Sequence, residues 1–446
     1  MKNIVILGAG ESGTGAAILA RDKGMNVFLS DSGTVAPRYA AMLDAEGIEW
    51  EQGSHSMERI LQAHEVVKSP GIPDTVPVMQ AVLERGIRVV SEIEFAGRFF
   101  PEDTRTVCIT GSNGKTTTTM LTCYLLQKAG IDASTAGNIG RSLAWQVARE
   151  PHAVYVIELS SFQLDNMYDF RADTAVLTNI TPDHLDRYGY EMQRYVDAKM
   201  RILRNMRPCD TFVSWADDPV TSVQDAALHT EARHLTYSCV RQADACLGPD
   251  EEIMLLGRPL MYADRVLLPG THNRLNAMAA ALAATTMGAS REAIAAGLET
   301  FSPVEHRLEP IFTHDGLHWI NDSKATNVNS TFYALEAMHG PTILILGGKD
   351  KGNDYSEILP LVQDRVVAIV AMGLHNEKIV DFFSPHVQVE STHTLDQAIE
   401  TCRRLAHDGD TILLSPCCAS FDLFTSYEDR GRRFKQRVLE TQPKKQ

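Results

Sequence analysis

Apolar runs of four to six residues recur along the chain, each closed by a glycine, serine or acid and most followed by apolar residues at helical spacing. In the first hundred residues the runs are "NIVIL", "NVFLSD", "EVVK" and "IRVV". The next two hundred carry "TVCIT", "AVYVIELSS", "DTAVLTNI" and "DTFVSW", with helical spacing over Arg274–Met287 and Arg291–Thr300. The last part adds "LHWINDS", "TILILGG", "VVAIVAMG" and "DTILLSP". Continuous apolar runs, as opposed to alternating ones, are strands covered on both faces. Strands that alternate with helices form parallel sheets, so the chain is predicted to be α/β, with mainly parallel sheets between helices. The stretches "RFFPEDT" and "FSPVEHR" break the pattern and divide it into three domains, over 1–97, 98–303 and 304–446.

Several loops between these runs carry chemistry. In "TVCITGSNGKTTTTM" a strand ends in Gly111, Ser112, Asn113 and Gly114, and a helix follows. That arrangement aims free backbone N–H groups at a phosphate, with Lys115 as a point charge and the Thr116 hydroxyl toward Mg²⁺. Only two residues separate the glycines, where the usual phosphate loop has four. Against a plain surface turn stands its position after a strand and before a helix. This is a nucleoside triphosphate site.

"GAGESG" at Gly8–Gly13 follows the first strand, and Asp31 closes the second, the spacing of a dinucleotide fingerprint. A UDP-sugar presents the same diphosphate and ribose as NAD, and a second nucleotide site downstream favours it. Glu158 ends its strand where a carboxylate meets bound Mg²⁺, or is simply an exposed strand end. "TPDHLDRYG" gathers Asp183, His184, Asp186 and Arg187 in one loop. In the last domain "NDSKATN", "GGKDK" and "SPCCASFD" each follow a strand, so Lys324, Thr326, Lys351 and Ser420 can meet one anion. Lys199 lies within the apolar stripe of "EMQRYVDAKMRILRNM". Periodicity alone makes it a lysine whose stem packs on the core while its ammonium reaches water.

A net charge of −15 over 446 residues argues against nucleic acid as a partner. No apolar run approaches the ~20 residues of a membrane span, and Met1–Leu7 reads as a strand, not a secretory signal. The eight cysteines contain no C-x-x-C pair, which predicts a reduced, cytoplasmic protein without zinc or a disulfide framework.

Taken together, "SPGI", "TGSNGKTT", "GNIG", "ELSSFQL", "DHLDRY", "HRLE", "NDSKATN" and "SP-C-AS-D" resemble the Mur ligases, in order and over the full length. These enzymes build the peptide of bacterial peptidoglycan precursors, and the short phosphate loop is theirs. The resemblance implies a Rossmann-like UDP-sugar domain, a central P-loop ATPase domain and a Rossmann-like amino-acid domain. It implies that ATP, with Mg²⁺, converts the carboxylate of UDP-N-acetylmuramoyl-L-alanine to an acyl phosphate, which D-glutamate then attacks. The choice of D-glutamate rests mainly on the third domain. The same resemblance places Gly111, Ser112, Asn113, Gly114, Lys115, Thr116 and Thr117 at the phosphates. It places Asn273, Arg307 and Asp322 at the rest of ATP, and Thr116, Glu158, His184 and a carbamylated Lys199 at magnesium. Ser12, Asp31, Ser32, Gly71, Asn138, Ser160 and Gln163 fall to the UDP-sugar. Lys324, Thr326, Lys351, Ser420, Phe421 and Tyr427 fall to the amino acid, with Lys324 also counted as catalytic. Gly33 stands where some members carry an arginine for the diphosphate, and Tyr427 where a phenylalanine occurs. A monomer is expected. An NAD-linked oxidoreductase and a nucleotide sensor without turnover are the alternatives.

Overall fold

The computed structural model describes residues 2–183, 185–225, 230–267, 270–301, 305–311, 313, 316–338, 340–350 and 352–441. His184 and Lys351 therefore lie outside the described residues. The chain forms three sheets within two compact units, one of residues 1–266 and 275–300, the other of residues 267–274 and 301–446.

In the first unit, one sheet has Asn3–Leu7 at its centre, between Asn26–Asp31 and Glu65–Lys68. Glu49–Gln52 and Arg88–Val90 form its edges, and all five strands are parallel. The second sheet has nine strands. Arg105–Thr110 runs parallel between Val154–Glu158 and Thr174–Leu177, with Ala133–Gly137 beyond the former. Thr211–Trp215, Arg233–Ser238 and Ala245–Leu247 extend the other side, still parallel. The pair Glu252–Leu255 and Arg258–Tyr262 closes that side antiparallel, an addition that the sequence pattern does not predict.

The third sheet belongs to the second unit. His318–Asn321, Thr411–Leu414, Thr342–Leu346, Val366–Met372 and Gln388–Thr392 lie parallel in that order. Glu309–Ile311 adds an antiparallel edge. Ile343, Leu344, Ile345 and Leu346 are all fully buried, because helices cover both faces of the sheet. All eight cysteines are free thiols. No helix among the described residues is long and apolar enough to cross a membrane.

The first two sheets are joined through helix Glu11–Asp22, which packs on helix Leu143–Arg149. Beside that contact Glu92 Oε1 accepts from Ser142 Oγ and Ala144 N, both at 2.7 Å. Glu92 Oε2 is buried without a hydrogen-bond partner. Burial raises this carboxyl from its ordinary 4.5 to about 7. The folded state thus holds the proton more tightly than the unfolded chain, and its stability falls as pH rises from 4.5 to 7. The loss is at most about 3 kcal/mol. Glu92→Gln cannot ionise and lacks this slope. Its melting temperature relative to the parent should therefore be higher at pH 8 than at pH 5, which thermal melts at the two pH values check. An equal difference at both would mean that Glu92 titrates normally.

Candidate active site

The phosphate loop is built by steric necessity. Gly111 has φ 144°, and a Cβ there would lie 1.9 Å from Thr178 Oγ1. Gly114 has φ 81°, and its Cβ would lie 2.4 Å from Asn276 Oδ1. Only glycine serves at either position. The intervening residues are held from the next strand's end. Asn179 Oδ1 accepts from Asn113 N at 2.9 Å, Asn179 O from Ser112 N at 2.8 Å, and Thr178 Oγ1 donates to Asn113 O at 2.6 Å. The loop opens helix Lys115–Lys128, so the N-terminus of that helix lies at its mouth. Within the first turn the Thr117 hydroxyl is buried and has no hydrogen-bond partner. A bound phosphate oxygen would satisfy it, so the cradle fits a nucleotide.

Glu158, at the end of the adjacent strand, is 2% exposed. Its Oε2 accepts from Thr116 Oγ1 at 2.6 Å and its Oε1 from Asn138 Nδ2 at 2.9 Å. A hydroxyl and a carboxylate at the mouth of a phosphate loop are the hard oxygen donors that Mg²⁺ takes, with water and phosphate completing its shell. The described residues contain no cluster of three or more His, Cys, Asp or Glu side chains suited to a metal. The donor set of Thr116 and Glu158 fits an ion shared with the nucleotide.

Lys199 does not reach water. It is 2% exposed, its Nζ donates to Gly111 O at 2.7 Å, and it stands 4.6 Å from the centre of the Tyr195 ring. Burial, and then the charge of Lys115, hold its pKa well below the ordinary value. Lys115 Nζ donates to the same Gly111 O at 2.8 Å and to Ser112 O at 2.9 Å. A cavity of about 270 Å³ opens here, lined among others by Gly71, Lys115, Asn138, Ser160, Asp183 and Lys199. The sequence assigns Gly71, Asn138 and Ser160 to the UDP-sugar, Lys199 to magnesium and Lys115 to the phosphates, and leaves Asp183 without a role. Ser160 and Gln163 also cap the short helix Ser161–Leu164 reciprocally, which fixes their side chains.

Tyr195 is a further lining residue, which sequence reasoning placed only in a packing stripe. Its hydroxyl lies 3.0 Å from Ser112 Oγ, across a sequence gap that no local motif bridges. In the fingerprint, Asp31 Oδ2 accepts from Ala9 N at 2.7 Å and Oδ1 from Gly33 N at 2.7 Å. Asp31 thus braces the loop itself. Ser12 lies in the first turn of the following helix and Ser32 is exposed.

Asn273, Arg307 and Asp322 belong to the second unit. Arg307 Nε and, nearby, His272 Nδ1 are buried without hydrogen-bond partners. Burial, then the charge of Arg307, drive His272 down to about 3, so it is neutral at physiological pH. Arg307 is flanked by His306 at φ 65° and Leu308 at φ 43°, two left-handed residues of the kind found at ligand sites. Asp322 accepts from Leu308 N at 3.2 Å and Ser415 Oγ at 2.9 Å. Burial raises it to about 6 despite Arg307. Lys324 Nζ lies 5.5 Å from the Tyr427 ring centre. Ser420 is buried, Thr326 is half-buried and Phe421 is exposed.

Comparison with known proteins agrees in all three parts. Residues 2–91 match the Mur ligase MurD-like N-terminal domain, 109–284 the Mur ligase middle domain, and 306–418 the Mur ligase glutamate ligase domain. A UDP-N-acetylmuramoylalanine–D-glutamate ligase of Porphyromonas gingivalis is 52% identical over 98% of each chain. That of Bacteroides fragilis is 50% identical, over 99% of this chain and all of its own. Among solved structures, the UDP-N-acetylmuramate-alanine ligase of Thermotoga maritima has the same fold. Its TM-score is 0.63 at 19% identity, over 98% of this chain and 99% of that one. With half of its residues shared along its whole length, and with a phosphate cradle of this build, the chain belongs to the Mur ligase family.

Proposed function

We propose that the protein joins D-glutamate to UDP-N-acetylmuramoyl-L-alanine, driven by ATP, in the synthesis of peptidoglycan precursors. The observation that carries this reading is the cavity beside the phosphate loop, where Lys115, Asn138, Ser160 and Lys199 meet. The relatives named for this ligation supply the identity of the substrates.

Lys115 and the loop N–H groups neutralise the triphosphate while the substrate carboxylate oxygen attacks the terminal phosphorus and ADP leaves. The acyl phosphate is then attacked by the amine nitrogen of D-glutamate. The resulting tetrahedral centre collapses to the amide as phosphate departs and the nitrogen gives up its proton to it. Catalysis of this kind is mostly positioning and charge stabilisation. Magnesium, held by Thr116 and Glu158 and at a second position by His184 and carbamylated Lys199, would supply further positive charge at the transferring phosphoryl. Asn138 and Ser160, whose side chains are pinned by Glu158 and Gln163, orient the muramoyl-alanine end. Gly71 and Gln163 join them, and Ser12, Asp31 and Ser32 hold the uridine diphosphate. Asn273, Arg307 and Asp322 take the remainder of ATP. Lys324, Thr326, Lys351, Ser420, Phe421 and Tyr427 form the amino-acid pocket. The enzyme works as a cytoplasmic monomer with domain limits near residues 97 and 303.

Phosphate release, measured with each component omitted in turn, tests the reading. Release should require ATP, Mg²⁺, the UDP-sugar and D-glutamate together, and NADH should replace none of them. Nucleotide binding without any phosphate release would reduce the protein to a sensor. Full activity with another amino acid in place of D-glutamate would move it to a sister specificity.

A further inference from the structure

The helix Tyr427–Glu440 carries Arg430, whose side chain is 1% exposed. Its partners are almost all on two loops. Nε donates to Ser323 Oγ at 2.9 Å and Nη2 to Ser323 O at 2.8 Å. Nη1 and Nη2 donate to Cys418 O at 3.2 and 3.3 Å. A third loop lies against it, because a Cβ at Gly348 would stand 3.3 Å from Arg430 Nη1. Gly348 has φ 128°, and its Cβ would also lie 2.4 Å from Ala419 O, so the close approach requires glycine. Backbone bonds between Lys349 and Ala419 stitch this loop to the second in both directions.

These are the loops "NDSKATN", "GGKDK" and "SPCCASFD", from which the amino-acid pocket is drawn. Arg430 bonds two of them and lies against the third, and it is a cation. Among the described residues no carboxylate stands within ion-pair distance of Arg430; Asp322 and Asp422 act on it only at longer range. A buried charge is ordinarily neutralised by a partner. Here neutral acceptors satisfy the guanidinium, and its positive charge beneath the loops is offset only at longer range. D-glutamate brings two carboxylates to that place.

We infer that Arg430 is a positioning residue for the amino-acid pocket, clamping two of its loops together against the third and lending a positive charge, without an ion-pair partner among the described residues, that favours a dicarboxylate substrate. The inference rests on the proposed function for the identity of that substrate. It does not rest on it for the clamp.

The test compares Arg430→Met and Arg430→Lys with the parent. The KM for D-glutamate in Arg430→Met should rise at least about tenfold, while the inhibition constant of D-glutamine, which lacks the second charge, moves less than about threefold. The KM values for ATP and the UDP-sugar should stay within about twofold. Arg430→Lys keeps the charge and should retain the preference for glutamate over glutamine. A preference unchanged in Arg430→Met, or an ATP KM that rises in step with that for glutamate, overturns the inference. If Arg430→Met does not fold, Ser323→Ala decides, since it removes the Nε acceptor, together with the bond that Ser323 Oγ donates to Tyr427 O, and leaves the guanidinium in place. It should raise the glutamate KM about threefold without affecting ATP, and an unchanged value overturns the inference. Amide hydrogen exchange separates the clamp from the substrate assignment. Exchange at 322–326 and 417–420 should accelerate in the variant while the strand Thr342–Leu346 stays protected. A parent enzyme that is inactive with D-glutamate would sink the proposed function, yet accelerated loops would still sustain the clamp. Loops that exchange as in the parent would refute it.

Discussion

Lys115→Ala is expected to lower the rate of phosphate release by about 10³-fold, the scale seen when one preorganised charge is removed from a reacting centre. The ammonium is held at the loop mouth by the carbonyls of Gly111 and Ser112, so its position is set before a nucleotide arrives. No solvent reorganisation is then needed as negative charge moves onto the leaving ADP. The fold should hardly notice the change. Lys115 is the first residue of its helix and is only half-buried, and its ammonium donates to the loop carbonyls of Gly111 and Ser112. Stability should stay within about 0.5 kcal/mol of the parent. Single-turnover phosphate release and a thermal melt on the same preparation check both halves. Turnover near the parent's would remove the loop from the chemistry.

Lys199→Ala is expected to lose about 10²-fold or more in kcat, with partial recovery, on the order of tenfold, in millimolar acetate. The side chain is fully enclosed and its amine is biased toward the neutral form by burial and by Lys115. A neutral amine nitrogen can add to the carbon of CO₂ and release a proton, giving a carbamate. That group is an oxygen anion, the kind of ligand magnesium takes, whereas an ammonium in the same place would repel the ion. Acetate in the space vacated by the lysine side chain would restore the carboxylate but not its tether. Intact mass under CO₂ provides a second readout, since the parent should carry the mass of one added CO₂ and the alanine variant should not. An active alanine variant, or a fully active parent with an unmodified lysine, would end the carbamate assignment.

The strands that the sequence reveals are those with helices on both sides. "TILIL" and "VYVIE" are apolar but for Thr342 at the start of one and Glu158 at the end of the other, because every side chain in them is covered. The strands that it conceals are mostly at the borders. "EWEQ" and "QVEST" have one neighbour each and half-exposed side chains, so they lack the apolar contrast that marks a central strand. "ASTAG" is hidden by its small residues, although it carries Gly137 to the end of Glu158's strand. The site divides in the same way. Whatever is local shows in the sequence, as the glycine loop, Glu158 and the register of Lys199 do. What depends on distant partners does not. The carbonyl that Lys199 meets is 88 residues away, and the loops that Arg430 grips precede it by 107 and 12. Arg430 leaves only a faint trace, since with Phe434 and Val438 it lies on the buried stripe of an otherwise basic helix. Glu92 leaves none.

One carbonyl oxygen, that of Gly111, accepts from both Lys115 and Lys199. The two amines are consequently not independent variables. Removing the charge at 115 relieves the repulsion that helps keep the amine at 199 neutral, and returns that amine toward ammonium. An alanine at 115 should thereby disfavour the proposed carbamate at 199, in addition to its own loss. A double-mutant cycle across the pair should accordingly be sub-additive, the second substitution costing less in the background of the first. What a single substitution at 115 measures is the pair.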